Sequence, residues 1–260
     1  MDVVLRDLRP AYRSVAIGAT VLALMSGCSS FPGTTAASFL RKVEQSRDPN
    51  ERYQAYQNLG TSRAYRDEAE KIRAVELLSK RLSRPNDSDQ AAAEPTASRA
   101  MICRTLGKIG HPSARPAMLT AVNDPDPLVR AEACLALGRV GKSEDATVLA
   151  RVMTADVSPD CRIAAIDGLG ALKSNDPRIT GFLANAMEGD EDPAVRLASL
   201  ESLRKITGKD FGVEPKPWHD YLAATNPVNR DVMTAQAPAA SPSRPAPTID
   251  PGVAAASSPR

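Results

Sequence analysis

The stretch Asp124-Pro125-Asp126-Pro127-Leu128-Val129-Arg130-Ala131-Glu132-Ala133-Cys134-Leu135-Ala136-Leu137-Gly138-Arg139-Val140-Gly141 carries the pattern from which the fold is read. Asp126 is a good helix N-cap, and Pro127 takes the first helical position, where a missing N–H costs nothing. Val129, Ala133, Leu137 and Val140 then recur at three- and four-residue spacing. Cys134 and Ala136 widen that stripe, so the helix is buried on more than one side. Gly141 suits the place just past a helix end. Ser143-Glu144-Asp145 offers a cap and two carboxylates for a second helix from Ala146 to Met153. The unit is helix, turn, helix.

Outward from this stretch the pattern returns. Arg52, Arg99, Arg130, Arg162 and Arg196 follow one another at intervals of 47, 31, 32 and 34 residues. A proline precedes each (Pro49, Pro95, Pro127, Pro159, Pro193), and a leucine follows each seven residues later (Leu59, Leu106, Leu137, Leu169, Leu203). Recurrence at this period is the mark of stacked helical repeats. Ser158, Asp192 and Asp176 stand before prolines as Asp126 does, and each predicts a helix start. Composition agrees with an all-α chain: 42% of residues are hydrophobic, only 4% are aromatic, and Ala, Leu and Val supply the apolar content. A net charge of +2 gives no field to attract a polyanion, so nucleic acid is not expected as a partner.

The motif Asp126-Pro127-x-x-Arg130, spelled Asp192-Pro193-Ala194-Val195-Arg196 in a later copy and followed by A-x-x-x-L-G, resembles HEAT repeats. It is similar in particular to the short bacterial kind grouped with phycobilin lyase subunits. The resemblance implies a right-handed α-α superhelix of the HEAT/armadillo type with about five helix pairs. It also implies a ladder of acidic turn residues and helix arginines along the stack. Asp124, Asp156 and Asp190 lie six residues before Arg130, Arg162 and Arg196 and take that role. Ser46 and Ala93 occupy the matching places before Arg52 and Arg99, which leaves these two arginines as candidate partner contacts. The solenoid is assigned to residues 38–225, clearest over 96–208, with a C-terminal cap at 208–225. Phe211, Trp218 and Tyr221 gather in that cap. A terminal repeat needs larger residues to close its core, and Trp218 is also a candidate partner contact. Residues 84–96 form a polar insertion between the first and second copies.

Arg6, Arg9 and Arg13 precede an apolar run from Val15 to Met25, the form of an export signal. Eleven helical residues rise only about 16 Å, too short to span a bilayer. Leu24-Met25-Ser26-Gly27-Cys28 resembles a bacterial lipoprotein signal, which implies cleavage after residue 27 and lipidation of Cys28. Residues 1–27 are then the signal peptide and 28–37 a tether that holds the body near the membrane. Ser29 after the cysteine favours the periplasmic face of the outer membrane over the inner one. Residues 226–260 are rich in Ala, Pro and Ser and are expected to be a disordered tail.

For chemistry the sequence offers little. His111 and His219 are the two histidines and fall in different repeats. The paired His-Glu dipeptides of HEAT-type di-iron hydroxylases are missing, as are a Gly-rich phosphate loop, G-x-S-x-G and H-E-x-x-H. Cys103 and Cys134 align with Ile166 and Leu200, and Cys161 with Val129 and Val195, so the cysteines are expected in the core. No catalytic residue, cofactor or metal is assigned. The expected role is a lipid-anchored, non-catalytic scaffold for a protein partner at the cell envelope. A bilin lyase-like enzyme subunit is the alternative that the resemblance carries.

Overall fold

A computed structural model of the chain describes residues 35–61, 65–83, 94–174, 176–226, 228–229 and 232, and these hold eleven α-helices and no strand. The helices are α1 (Ala36–Gln45), α2 (Pro49–Leu59), α3 (Glu68–Leu82), α4 (Thr96–Ile109), α5 (Arg115–Ala121), α6 (Pro127–Val140), α7 (Ala146–Ala155), α8 (Pro159–Leu172), α9 (Pro177–Gly189), α10 (Pro193–Thr207) and α11 (Pro215–Thr225). Six begin on a proline, whose fixed φ suits the first turn. Asp48, Asp126, Asp176 and Asp192 cap the helices after them by accepting a backbone N–H two residues on. Ser158 holds the same backbone position but its hydroxyl makes no cap bond.

The five arginine-bearing helices α2, α4, α6, α8 and α10 stack side by side, and α1, α3, α5, α7 and α9 each pack against the helix that follows. The result is an all-α, two-layered α-α superhelix, closed by α11 against α9. Its core is one continuous cluster built from the apolar stripes read in the sequence. Leu59, Leu106, Leu137, Leu169 and Leu203 are all fully buried in it. Cys103, Cys134 and Cys161 are buried there too, as free thiols.

The arginine helices approach to backbone contact. Eight residues after the arginine stand Gly107, Gly138 and Gly170, each against a small residue of the next helix. A Cβ on Gly138 would lie 2.6 Å from Gly168 Cα, and one on Gly107 would lie 2.9 Å from Ala136 Cα. The close approach brings side chains onto neighbouring backbones: Thr105 Oγ1 donates to Tyr56 O at 2.8 Å and Ser202 Oγ to Ile166 O at 2.9 Å. Buried hydroxyls are thereby satisfied, and they fix the register from helix to helix. In α10 the glycine is replaced by Arg204.

Two assigned boundaries need correction. Helix α1 begins at Ala36, inside the stretch 28–37 read as a tether, because Thr35 caps it and Ala36, Phe39, Leu40 and Val43 bury against the next helices. At the other end, the tail assigned to 226–260 starts as packed chain. Asn229 is buried, its Nδ2 donates to Leu222 O at 3.2 Å, and Asn185 Nδ2 of α9 donates to Val232 O at 3.0 Å. Cys28, residues 84–93 and the chain from 233 onward lie outside the described residues. Among the described residues no helix is long and apolar enough to cross a membrane.

Candidate functional site

Each repeat arginine sits in the first turn of its helix and points along the stack. Its Nη1 donates back to the turn just before that helix: to Ser46 O and Arg47 O from Arg52, to Glu94 O from Arg99, to Asp124 O and Pro125 O from Arg130, and to Asp156 O from Arg162. This anchors the guanidinium plane. Its other edge, Nε and Nη2, is then aimed forward at the turn that leads into the next repeat, where a carboxylate meets it with two bonds. Arg99 holds Asp124 at 3.1 and 2.9 Å, Arg130 holds Asp156 at 2.8 and 2.9 Å, and Arg162 holds Asp190 at 3.1 and 3.0 Å.

Arg52 holds Glu94 in the same manner, at 2.8 and 3.3 Å. Glu94 is buried, and it also accepts from Tyr56 Oη at 2.7 Å and lies 3.8 Å from Arg81 Nη1. Burial of the Arg52 guanidinium works against its charge, but the hydrogen bond and the field of Glu94 prevail and raise its pKa above the ordinary arginine value. Burial and the same carboxylate push the Tyr56 phenol up, so it remains a neutral donor. The hydrogen bond to Asp156 holds Arg130 above the usual value despite burial.

The ladder residues inferred from sequence are therefore present, but the pairing runs one step differently. Asp124 gives its backbone carbonyl to Arg130, six residues on, and its carboxylate to Arg99 of the preceding helix. Arg52 and Arg99, expected to lack an acid, are buried and paired, which removes them as partner contacts. Trp218 is also fully buried. Its Nε1 donates to Gly212 O at 3.0 Å and Phe211 meets its ring edge-on at 5.0 Å, so it anchors the cap and offers no surface. Of the five repeat arginines, Arg196 alone has no carboxylate partner among the described residues.

Two acids escaped the sequence reading, and a third, Asp145, was read there only as a carboxylate at a helix start. Glu94 lies in the polar insertion, five residues before Arg99 where the repeat places its acid at six. Glu132 receives Arg104, and buried Asp145 receives Arg115 at 2.7 Å through both Nε and Nη2. Those pairs lie 28 and 30 residues apart, close to the repeat period, and that spacing was the available signal.

Among the described residues no group of three or more His, Cys, Asp or Glu is arranged to hold a metal ion. His111 lies 3.7 Å from Glu68 and His219 lies 3.3 Å from Glu188, in separate helix pairs. Burial pushes the Cys134 thiol up to about 12 and raises Cys103 and Cys161 as well, which suits packing and not nucleophilic attack.

A sequence profile described as HEAT repeats matches residues 89–170, the span that holds two rungs of the ladder. The chain carries HEAT repeats. No curated protein matches it in sequence. Among solved structures it is similar to the complex of CpcE and CpcF of phycocyanin lyase from Nostoc sp. PCC7120, with a TM-score of 0.54 and 20% identity over 73% of this chain and 69% of that one. A likeness at this identity speaks for the HEAT solenoid as a fold.

Proposed function

We propose that the chain is a membrane-anchored scaffold of the cell envelope whose HEAT solenoid holds a protein partner and catalyses nothing itself. The observation that carries this reading is the ladder. The repeating arginines and aspartates, which out of context look like site residues, are engaged with one another inside the stack, and what the array offers outward is an extended surface. The sequence Leu24-Met25-Ser26-Gly27-Cys28 supports attachment through a lipidated Cys28, and Ser29 supports the outer membrane. Several acyl chains anchor more stably than one, so a mature lipoprotein would stay with the membrane through washing.

Fractionation of cells carrying the full chain or its Cys28→Ala form tests the anchor. The native chain is expected in the washed membrane pellet and the variant in the soluble envelope fraction. A variant that still pellets refutes lipid anchoring. Proximity labelling from the native chain tests the scaffold, and the absence of any reproducible neighbour refutes that half of the proposal.

The likeness to a phycocyanin lyase complex favours one second reading, a lyase-like subunit acting with a chromophore or a chromophore-bearing protein. Titration of the purified chain with free bilin separates the two. A saturable change in visible absorbance favours the subunit, and an unchanged spectrum leaves the scaffold.

A further inference from the structure

We propose that the Nε/Nη2 edge of Arg196 is a preformed carboxylate-binding site, which receives an acidic residue, flanked by an apolar one, from the protein partner of this scaffold. The site is one rung of a ladder whose other four rungs are filled. In Arg52, Arg99, Arg130 and Arg162 the guanidinium is oriented by Nη1 on the preceding turn and closed by a bidentate carboxylate. Arg196 has the first half of this arrangement unchanged: Nη1 donates to Asp190 O at 2.7 Å and Glu191 O at 3.3 Å. Its Nε and Nη2 have no acceptor among the described residues. The entropy of fixing the side chain has already been met by the turn, so a carboxylate arriving there finds the fork in place.

The chain's own residue at this position is unsuited to fill it. Asp156 and Asp190 directly follow α7 and α9, and Asn226 directly follows α11. Asn226 stands as a helix cap does, since Val228 N donates to its Oδ1 at 3.0 Å as Leu128 N donates to Asp126 Oδ1 at 2.9 Å. It carries no charge, and it makes no bond to Arg196. Of the acids beside Arg196, Asp190 is occupied by Arg162 and Asp192 by the cap bond to Ala194 N, while Glu191 meets Arg196 through its backbone carbonyl and not its carboxylate.

What arrives cannot be one more stacked helix. Arg204 stands where Gly107, Gly138 and Gly170 admit the next backbone, and it is tied to Asp210 at 2.9 Å. A turn or an extended segment fits. Leu197, 54% exposed beside Arg196, gives the apolar contact for the neighbour of the acid. The identity of this occupant as a partner rests on the scaffold reading. The site itself does not, and its loss would leave membrane attachment and partner capture to be judged by their own experiments.

The probe is the peptide acetyl-Asp-Val-Ser-Pro-amide, which copies the turn from Asp156 to Pro159 that fills the rung of Arg130 and sets an apolar residue next to the acid. The readout is the Nε–H resonances of arginine-labelled full-length protein. Before peptide, the Arg196 Nε–H is expected to exchange fast with water while those of Arg130 and Arg162 exchange slowly. An Arg196 Nε–H that is already protected would show that another part of this chain fills the rung, and overturns the proposal. On titration Arg196 is expected to shift saturably, with binding roughly tenfold weaker for the peptide that begins with Asn and no binding by the Arg196→Gln variant. Equal binding of the Asp and Asn peptides, or shifts that leave Arg196 unmoved, overturn it. The comparison of the two peptides on the native protein holds even if the variant folds poorly.

Discussion

Replacing Gly138 by alanine tests whether the stack depends on backbone contact between α6 and α8. The new methyl would sit 2.6 Å from Gly168 Cα and 2.8 Å from its carbonyl oxygen, and ordinary contact begins at 3.4 Å. Both obstructing atoms are backbone, so no side chain can swing aside. The helices must part by about 0.8 Å, and a gap of that order forfeits a quarter to a half of the dispersion attraction of the atoms along the seam. Overpacking of a core costs about 1–3 kcal/mol, against which alanine returns up to about 1 kcal/mol of helix propensity over glycine. A net loss of about 1–2 kcal/mol is expected, and at about 2–4 °C per kcal/mol the melting temperature should fall by roughly 2–8 °C. Gly189, at the end of α9, is the control: a Cβ there meets nothing within 4 Å. Its alanine should leave the protein as stable or raise it by about 0.4–1 kcal/mol through the unfolded chain. Thermal melts and urea titrations followed by circular dichroism measure both. A Gly138→Ala protein that melts at or above the native one would refute the contact.

The Glu94→Ala change strands buried Arg52 without its carboxylate and should destabilise by about 3–5 kcal/mol, read as a lower urea midpoint; a change within error would mean the pair is not formed. Trp218→Ala empties the cap and should cost about 3–5 kcal/mol, whereas Trp218→Phe keeps the ring contact with Phe211, gives up the bond to Gly212 O, and should cost clearly less. Asp145 is held below the usual carboxylate range by the hydrogen bond from Arg115, enough to outweigh its burial. Its folded pKa lies under the unfolded value, so the stability it contributes is complete above about pH 4 and is lost as pH falls through the folded pKa. The stability gap between the native protein and Asp145→Asn should therefore stay constant from about pH 7 to about pH 5 and narrow as the pH falls below about 4, and a gap independent of pH would refute the assignment. Burial raises all three core thiols, so Cys103, Cys134 and Cys161 should resist a thiol reagent in the folded protein and react on unfolding, followed peptide by peptide in a mass spectrometer.

The architecture was legible because its determinants are local and repeated. A proline in the first turn, a capping aspartate before it and a leucine seven residues after the arginine act within one helix, and five copies make the register visible. The ladder was half legible. Asp124, Arg130 and Arg99 are all marked by period, but the separation that looks close in sequence, six residues, is spanned by a carbonyl, and the carboxylate reaches the helix before. Direction along a stack is a property of how one unit sits on the next, and a spacing does not encode it. For the same reason Arg196 passed as a filled rung and Arg52 as an open one. The small residues at Gly107, Gly138 and Gly170 recur as faithfully as the arginines, yet their meaning appears only when the neighbouring backbone is in view.

Glu94 has a bearing on how this solenoid tolerates change. It binds Arg52 and Tyr56 of α2 and lies beside Arg81 of α3, so the chain entering α4 is clamped at a single carboxylate one residue before Pro95. Whatever happens upstream of that clamp, α4 begins in the same place. The entropy of closing a connection between two fixed ends grows only as the logarithm of its length, about 0.6 kcal/mol for each doubling. The link between α3 and α4 is thus a port in the array: sequence can be added or removed before Glu94 at little cost to the repeats on either side, provided the glutamate remains to close it.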